Sequence, residues 1–150
     1  MRTRLPNTVD DWEKILKRVY EVQGASGFAK YQYSISSILH LKKDSTSIGT
    51  ILEYCKEIPN PRDVLIDAIS GIMLNAGMKT ASRVTAATTL QTLIPRMRNY
   101  PRLKAATIIL AMRQVLESTG EKALQEAFND TIEAANRRIQ GCPAAYTIKI

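Results

Sequence analysis

Near the start of the chain Trp12, Ile15, Leu16, Val19 and Val22 recur at helical spacing, so one face of a helix is apolar and the other polar. Asn7 or Thr8 can cap this helix, Asp10 and Asp11 fall in its first turn, and Gly24 is placed to stop it. From Phe28 the period changes. Tyr31, Tyr33 and Ile35 alternate with Gln32, Ser34 and Ser36 in a run toward Leu41, which predicts a strand before the polar KKDSTS loop. The last residues show the same alternation, with Tyr146, Ile148 and Ile150 set against Thr147 and Lys149 after Gly141-Cys142-Pro143. An isolated strand is unstable, so the segment near 30–41 and the C-terminal strand are expected to pair in a small antiparallel element.

Between these segments the pattern is helical. A short helix around Ile48 to Glu57 ends at Ile58-Pro59. The NPRD after it is a start signal, with Asn60 as cap, Pro61 at the first helical position and Asp63 in the first turn. The helix it opens turns Val64, Leu65, Ala68, Ile69, Ile72 and Met73 inward and ends at Gly77. A threonine- and alanine-rich helix over about Thr80 to Ile94 places Ala81, Val84, Ala87 and Leu90 inward and stops at Pro95. From Arg102 to Leu116 the middle, AATIILAM, is apolar nearly all round, which predicts a central buried helix. The last helix, about Glu121 to Gln140, carries Leu124, Ala127, Phe128, Thr131, Ile132, Ala135 and Ile139 on one face. The expected fold is mainly α, a bundle of about five to six helices with a small antiparallel β element. The whole of 1–150 is expected to form one domain, with a helical body over about 48–140 and the strand-containing part at about 25–45 and 144–150. A chain of 150 residues buries enough apolar surface to fold without disulfides.

Charge changes the picture more than composition does. The chain has 21 basic and 14 acidic residues, a formal net charge of +7. No acid occurs between Asp67 and Glu117. That gap holds Lys79, Arg83, Arg96, Arg98, Arg102, Lys104 and Arg113, so the whole excess lies in one segment, and elsewhere bases and acids balance. A long acid-free basic segment is an electrostatic footprint of a polyanion partner. Its densest part is LIPRMRNYPRLK, in which Pro95 and Pro101 flank Arg96, Arg98 and Tyr100 on a stiffened loop, and Arg102 and Lys104 open the next helix. Arg113 follows Arg102 on the same helical face, about 16 Å along the axis. Together with Lys79 and Arg83 these bases are expected to form a stripe that tracks phosphates, while Tyr100 stacks on an exposed base. The opposing reading is a solvated basic surface with Tyr100 at the edge of the core.

Catalytic chemistry finds no support in the sequence. The single histidine, His40, stands between Leu39 and Leu41 with neither cysteine near it, and one histidine with two scattered cysteines has no metal-ligand spacing. No phosphate-binding glycine motif occurs, and Gly71 and Gly77 fit helix packing and capping. A helix-turn-helix across Gly77 puts Arg83 where an apolar residue is expected, with Val84 one place out of register. The expectation is therefore a non-enzyme with no cofactor and no metal. Cys55 and Cys142 lie in segments of different character, no signal-like segment precedes them, and no apolar run approaches the roughly 20 residues that span a bilayer. A soluble cytoplasmic protein is expected.

The length, the helical body and the minor strand-rich element, together with ILEYCKEIPNPRDVLIDAISGI read as a short helix, a break and a helix with small residues inward, resemble the small subunit of archaeal type I-A CRISPR effector complexes. The resemblance implies a role and no catalytic residues: helping a multi-subunit, RNA-guided complex to hold guide or target strands. Placing that role on the basic segment rests on the charge count. The implied partners are single-stranded RNA or DNA, or a heteroduplex backbone, and the other subunits of the complex. Two alternatives remain: a viral or archaeal DNA-packaging or coat protein, and a protein-interaction subunit with an acidic partner.

Overall fold

A computed structural model of the chain describes residues 9–41, 48–75, 77–97, 112–113 and 120–140. Helix α1 (Val9–Phe28) begins where the periodicity predicts, and Leu16 and Phe28 are its fully buried side chains among the described residues. Gly24 interrupts the helix as expected, and α1 is two helical segments joined across a kink at that residue. Its backbone lies at φ 73°, ψ −168°, a region that is essentially glycine's alone, and the helix resumes beyond it. Gly27 is held to glycine for a second reason, since a Cβ there would fall 2.3 Å from the Cβ of Gln23.

After a 3-10 turn (Ala29–Tyr31) the chain forms a second helix, α2 (Gln32–Leu41). This corrects the expected strand near 30–41, and among the described residues no strand is present. The buried set is Gln32, Ile35, Ser36, Ile38 and Leu39, which follows a helical period, while Tyr33 is 67 % exposed. The alternating tyrosines therefore do not mark an inner face. The C-terminal strand lies outside the described residues, as does the Asn7 or Thr8 cap.

Helices α3 (Ile48–Cys55), α4 (Asp63–Leu74) and α5 (Thr80–Leu93) come next, then a second 3-10 turn (Ile94–Arg96) and α6 (Lys122–Gln140). Helix α4 starts later than NPRD suggests, with Arg62 at the N-cap position, and it ends at Leu74, short of Gly77. The reason for the late start lies in Gln32. Its amide donates to the carbonyls of Ala29 (3.1 Å) and Asn60 (3.0 Å) and accepts from the Arg62 backbone N–H (2.7 Å), so the segment before α4 is tied to α2 and not to its own cap. The central helix expected over 102–116 lies outside the described residues except for Met112 and Arg113, which are helical; Met112 is fully buried and Arg113 is exposed.

Helix α5 is the hub and packs against α3, α4 and α6; α2 lies on α4, and α1 on α2 and α3. Small residues make the α5–α6 approach close enough for polar bridges. The Thr131 hydroxyl, fully buried, donates toward the carbonyls of Ala127 (2.8 Å) and Ala87 (3.1 Å), and the Gln91 amide donates to the Ala127 carbonyl (3.1 Å) and the Thr131 oxygen (3.2 Å). One apolar cluster draws on every described helix, and Tyr20 and Tyr54 pack against it around Phe28 as a ring cluster, with Tyr20 and Tyr54 stacked 3.8 Å apart. The Tyr20 hydroxyl donates to the Glu57 carboxylate, which joins α1 to the end of α3. Among the described residues no helix is long and apolar enough to cross a membrane.

Candidate nucleic-acid interface

The eight residues expected to meet nucleic acid fall into separate environments. Lys79 is exposed at the N-cap position of α5, where it contributes no side-chain cap. Arg96 lies at the other end of that helix, about 25 Å away by the helical rise. Arg113 is exposed on its short described segment. Arg98, Tyr100, Arg102 and Lys104 lie outside the described residues.

Arg83 departs from the expected stripe, because it is only 5 % exposed and takes part in the core. Buried positions on α5 are Arg83, Ala86, Ala87, Thr89, Leu90 and Leu93, so the inward face is turned from the one that Ala81 and Val84 suggest, and Arg83 occupies a core position in its first turn. Its Nε donates to the Met73 carbonyl near the end of α4 (2.9 Å), and its guanidinium stands 5.4 Å from the centre of the Phe128 ring on α6. Its Nη2 is buried with no hydrogen-bond partner among the described residues. Burial lowers the Arg83 pKa from its ordinary value, and the carboxylate of Glu121 opposes that shift. Glu121 also accepts a hydrogen bond from the Thr80 hydroxyl, which sets a negative charge at the positive end of α5. This guanidinium is therefore a structural bridge between α4, α5 and α6.

Arg96 has an internal task of its own. Its Nη1 donates to the carbonyls of Lys56 (2.6 Å) and Ile58 (3.1 Å), groups just past the end of α3. A cation at the C-terminal end of a helix meets both the unpaired carbonyls and the negative end of the dipole. The side chain is exposed, yet this contact fixes its direction. The acid-free segment thus splits into a buried bridge, a helix-end clamp, two exposed bases, and four residues beyond the described set.

Other candidate chemistry is sparse. Cys55 is buried, and burial pushes its thiol far above its ordinary pKa, so it is a poor nucleophile. His40 is exposed on α2 and shares a groove against α4 with Asp67, Gly71 and Asn75. Among the described residues no group of three or more His, Cys, Asp and Glu side chains is placed to hold a metal ion. Comparison with protein-family models, with curated proteins and with solved structures finds no match.

Proposed function

We propose that the protein is a non-catalytic, nucleic-acid-associated subunit of a multi-protein complex, of the RNA-guided interference kind that its resemblance implies. It would contact the backbone of a guide or target strand without reading sequence. The observation that carries this reading is the segregation of charge: the whole formal excess of +7 lies between Asp67 and Glu117. The internal tasks of Arg83 and Arg96 narrow the contact set to Lys79, Arg98, Arg102, Lys104 and Arg113, with Tyr100 as a stacking partner. A second reading, a protein-interaction subunit, draws on the outer face of α1. There Ile15 and the 65 % exposed Val22 line a shallow groove with Arg18, Val19 and Gln23.

The test is the salt dependence of binding to single-stranded DNA and RNA. Each neutralised phosphate on a single strand contributes a slope of about −0.7 in log affinity against log salt. Replacing Lys79, Arg98, Arg102, Lys104 and Arg113 with alanine is expected to flatten the slope by roughly 3 to 4 units and to weaken unrelated sequences alike. An unchanged slope, or tight binding to an acidic protein in place of nucleic acid, would refute the reading. Ordered helical polymers forming on duplex DNA would favour a coat protein instead.

A further inference from the structure

The fold uses two of its described tyrosines internally, since Tyr20 and Tyr54 stack on each other and meet Phe28 edge-on. It leaves Tyr33 outside. Tyr33 is 67 % exposed on α2, and it makes no hydrogen bond or ring contact through its side chain with the described residues. Because α2 is a helix and not a strand, residues three, four and seven apart share its outer face. That face presents Tyr33, Ser37 and His40, and Lys30 in the 3-10 turn before α2 stands three residues ahead of Tyr33; all four are exposed, over about 15 Å of axis, with Leu41 at the end.

The charge around this row has one sign over most of its length. No acid occurs between Glu21 and Asp44, so neither α2 nor the turn before it carries a carboxylate. Gln32, next to Tyr33 in the chain but buried on the inner face, takes the Arg62 backbone N–H, so the anchoring of α2 is made on the side opposite the row and leaves its outer face uncommitted. An acid from α4, Asp67, lines the groove beside His40 at the far end of the row. The row is cationic and aromatic at its N-terminal half and polar beyond. It differs from the outer groove of α1, where Ile15, Val19 and Val22 form an apolar strip bordered by Arg18, which pairs with Glu21 at 3.5 Å.

We infer that the outer face of α2 is a second contact surface for single-stranded nucleic acid, with Tyr33 stacking on an unpaired base and Lys30 meeting a flanking phosphate. The inference rests on the proposed nucleic-acid role and adds to it a site outside the acid-free segment. An exposed aromatic ring offers its face to any base, and a cation three residues away neutralises the backbone that the base hangs from. A binding mode of this kind tolerates any sequence and requires unpaired bases, so it selects single strands over duplex.

The experiment is fluorescence anisotropy of a labelled 20-nucleotide oligo-dT with the full chain, across a range of salt, with thermal unfolding of each variant alongside. Tyr33→Ala is expected to weaken binding by roughly 5- to 150-fold, the span of one lost stacking contact, with an unchanged salt slope and melting temperature. Tyr33→Trp is expected to retain affinity and to show fluorescence quenched by the oligonucleotide. Lys30→Ala is expected to reduce the slope by about 0.7. If the parent binds and Tyr33→Ala binds equally well, the α2 surface is refuted while the wider nucleic-acid role stands. If the parent binds no single strand even at low salt, both fall. Loss of self-association in Tyr33→Ala with DNA affinity intact would overturn the inference and make the face a protein contact.

Discussion

Burying the Arg83 guanidinium removes a charge from water, and the structure returns one hydrogen bond, one aromatic face and a nearby carboxylate for it. The desolvation outweighs the attraction, which is the meaning of the lowered pKa. The fold penalises the protonated form, but the guanidinium is protonated in the folded and unfolded states throughout the ordinary pH range. The penalty is therefore constant, and no step in stability with pH arises from this residue. What Arg83 supplies is volume and reach. Arg83→Met, which keeps the length and removes the charge, is expected to stay within about 1 kcal/mol of the parent. Arg83→Ala is expected to lose about 3 kcal/mol through the cavity it leaves. Urea unfolding measures both; equal losses for the two variants would show that the charge matters more than the packing.

At the scale of the elements, Gln32 shows how a polar residue can hold a helix in place. Its side chain satisfies three backbone groups on two segments, and each buried partner left unpaired costs about 1–3 kcal/mol. Gln32→Ala is expected to destabilise the fold by about 2–3 kcal/mol, read from the urea midpoint. A midpoint equal to the parent's would mean that the segment before α4 is held by other contacts. The same residue explains why α2 was illegible in the sequence. Two of its buried positions, Gln32 and Ser36, are polar and are satisfied internally, with the Ser36 hydroxyl donating to the Gln32 carbonyl at 2.7 Å. The apolar period of the helix was thereby hidden, and the aromatic and branched residues that remained simulated a strand. Arg83 misled in the same way on α5 by filling a core position with a charge. Where the inward face is apolar, as with Leu124, Ala127, Phe128, Ile132 and Ala135 on α6, the helix and its buried face emerged directly from the spacing. Of the candidate site, the sequence revealed where the charge collects. It could not reveal which bases the core and the helix ends would claim, because that depends on packing between segments distant in the chain.

For the whole molecule, the position of α5 at the centre of the packing sets the geometry of any ligand contact. Lys79 enters this helix and Arg96 leaves it, so the two ends of the basic segment are held apart by a rigid element and not gathered into one cluster. The clamp of Arg96 on the end of α3 also constrains the bases that come after it in the chain. Arg98 and Arg102 are covalently bound to lie within about 20 Å of a point that the clamp fixes on the body, whatever path the chain takes. A phosphate engaged by any one of them is thus presented to the others at a high effective concentration, and the clamp acts as the root of a short tether. Arg96→Ala removes no phosphate contact on this view. It is expected to leave the salt slope nearly unchanged while weakening single-strand affinity by about 3- to 10-fold, whereas a slope reduced by about 0.7 would make Arg96 a phosphate ligand in its own right. The protein would then gain avidity from a pair of hydrogen bonds made entirely within itself.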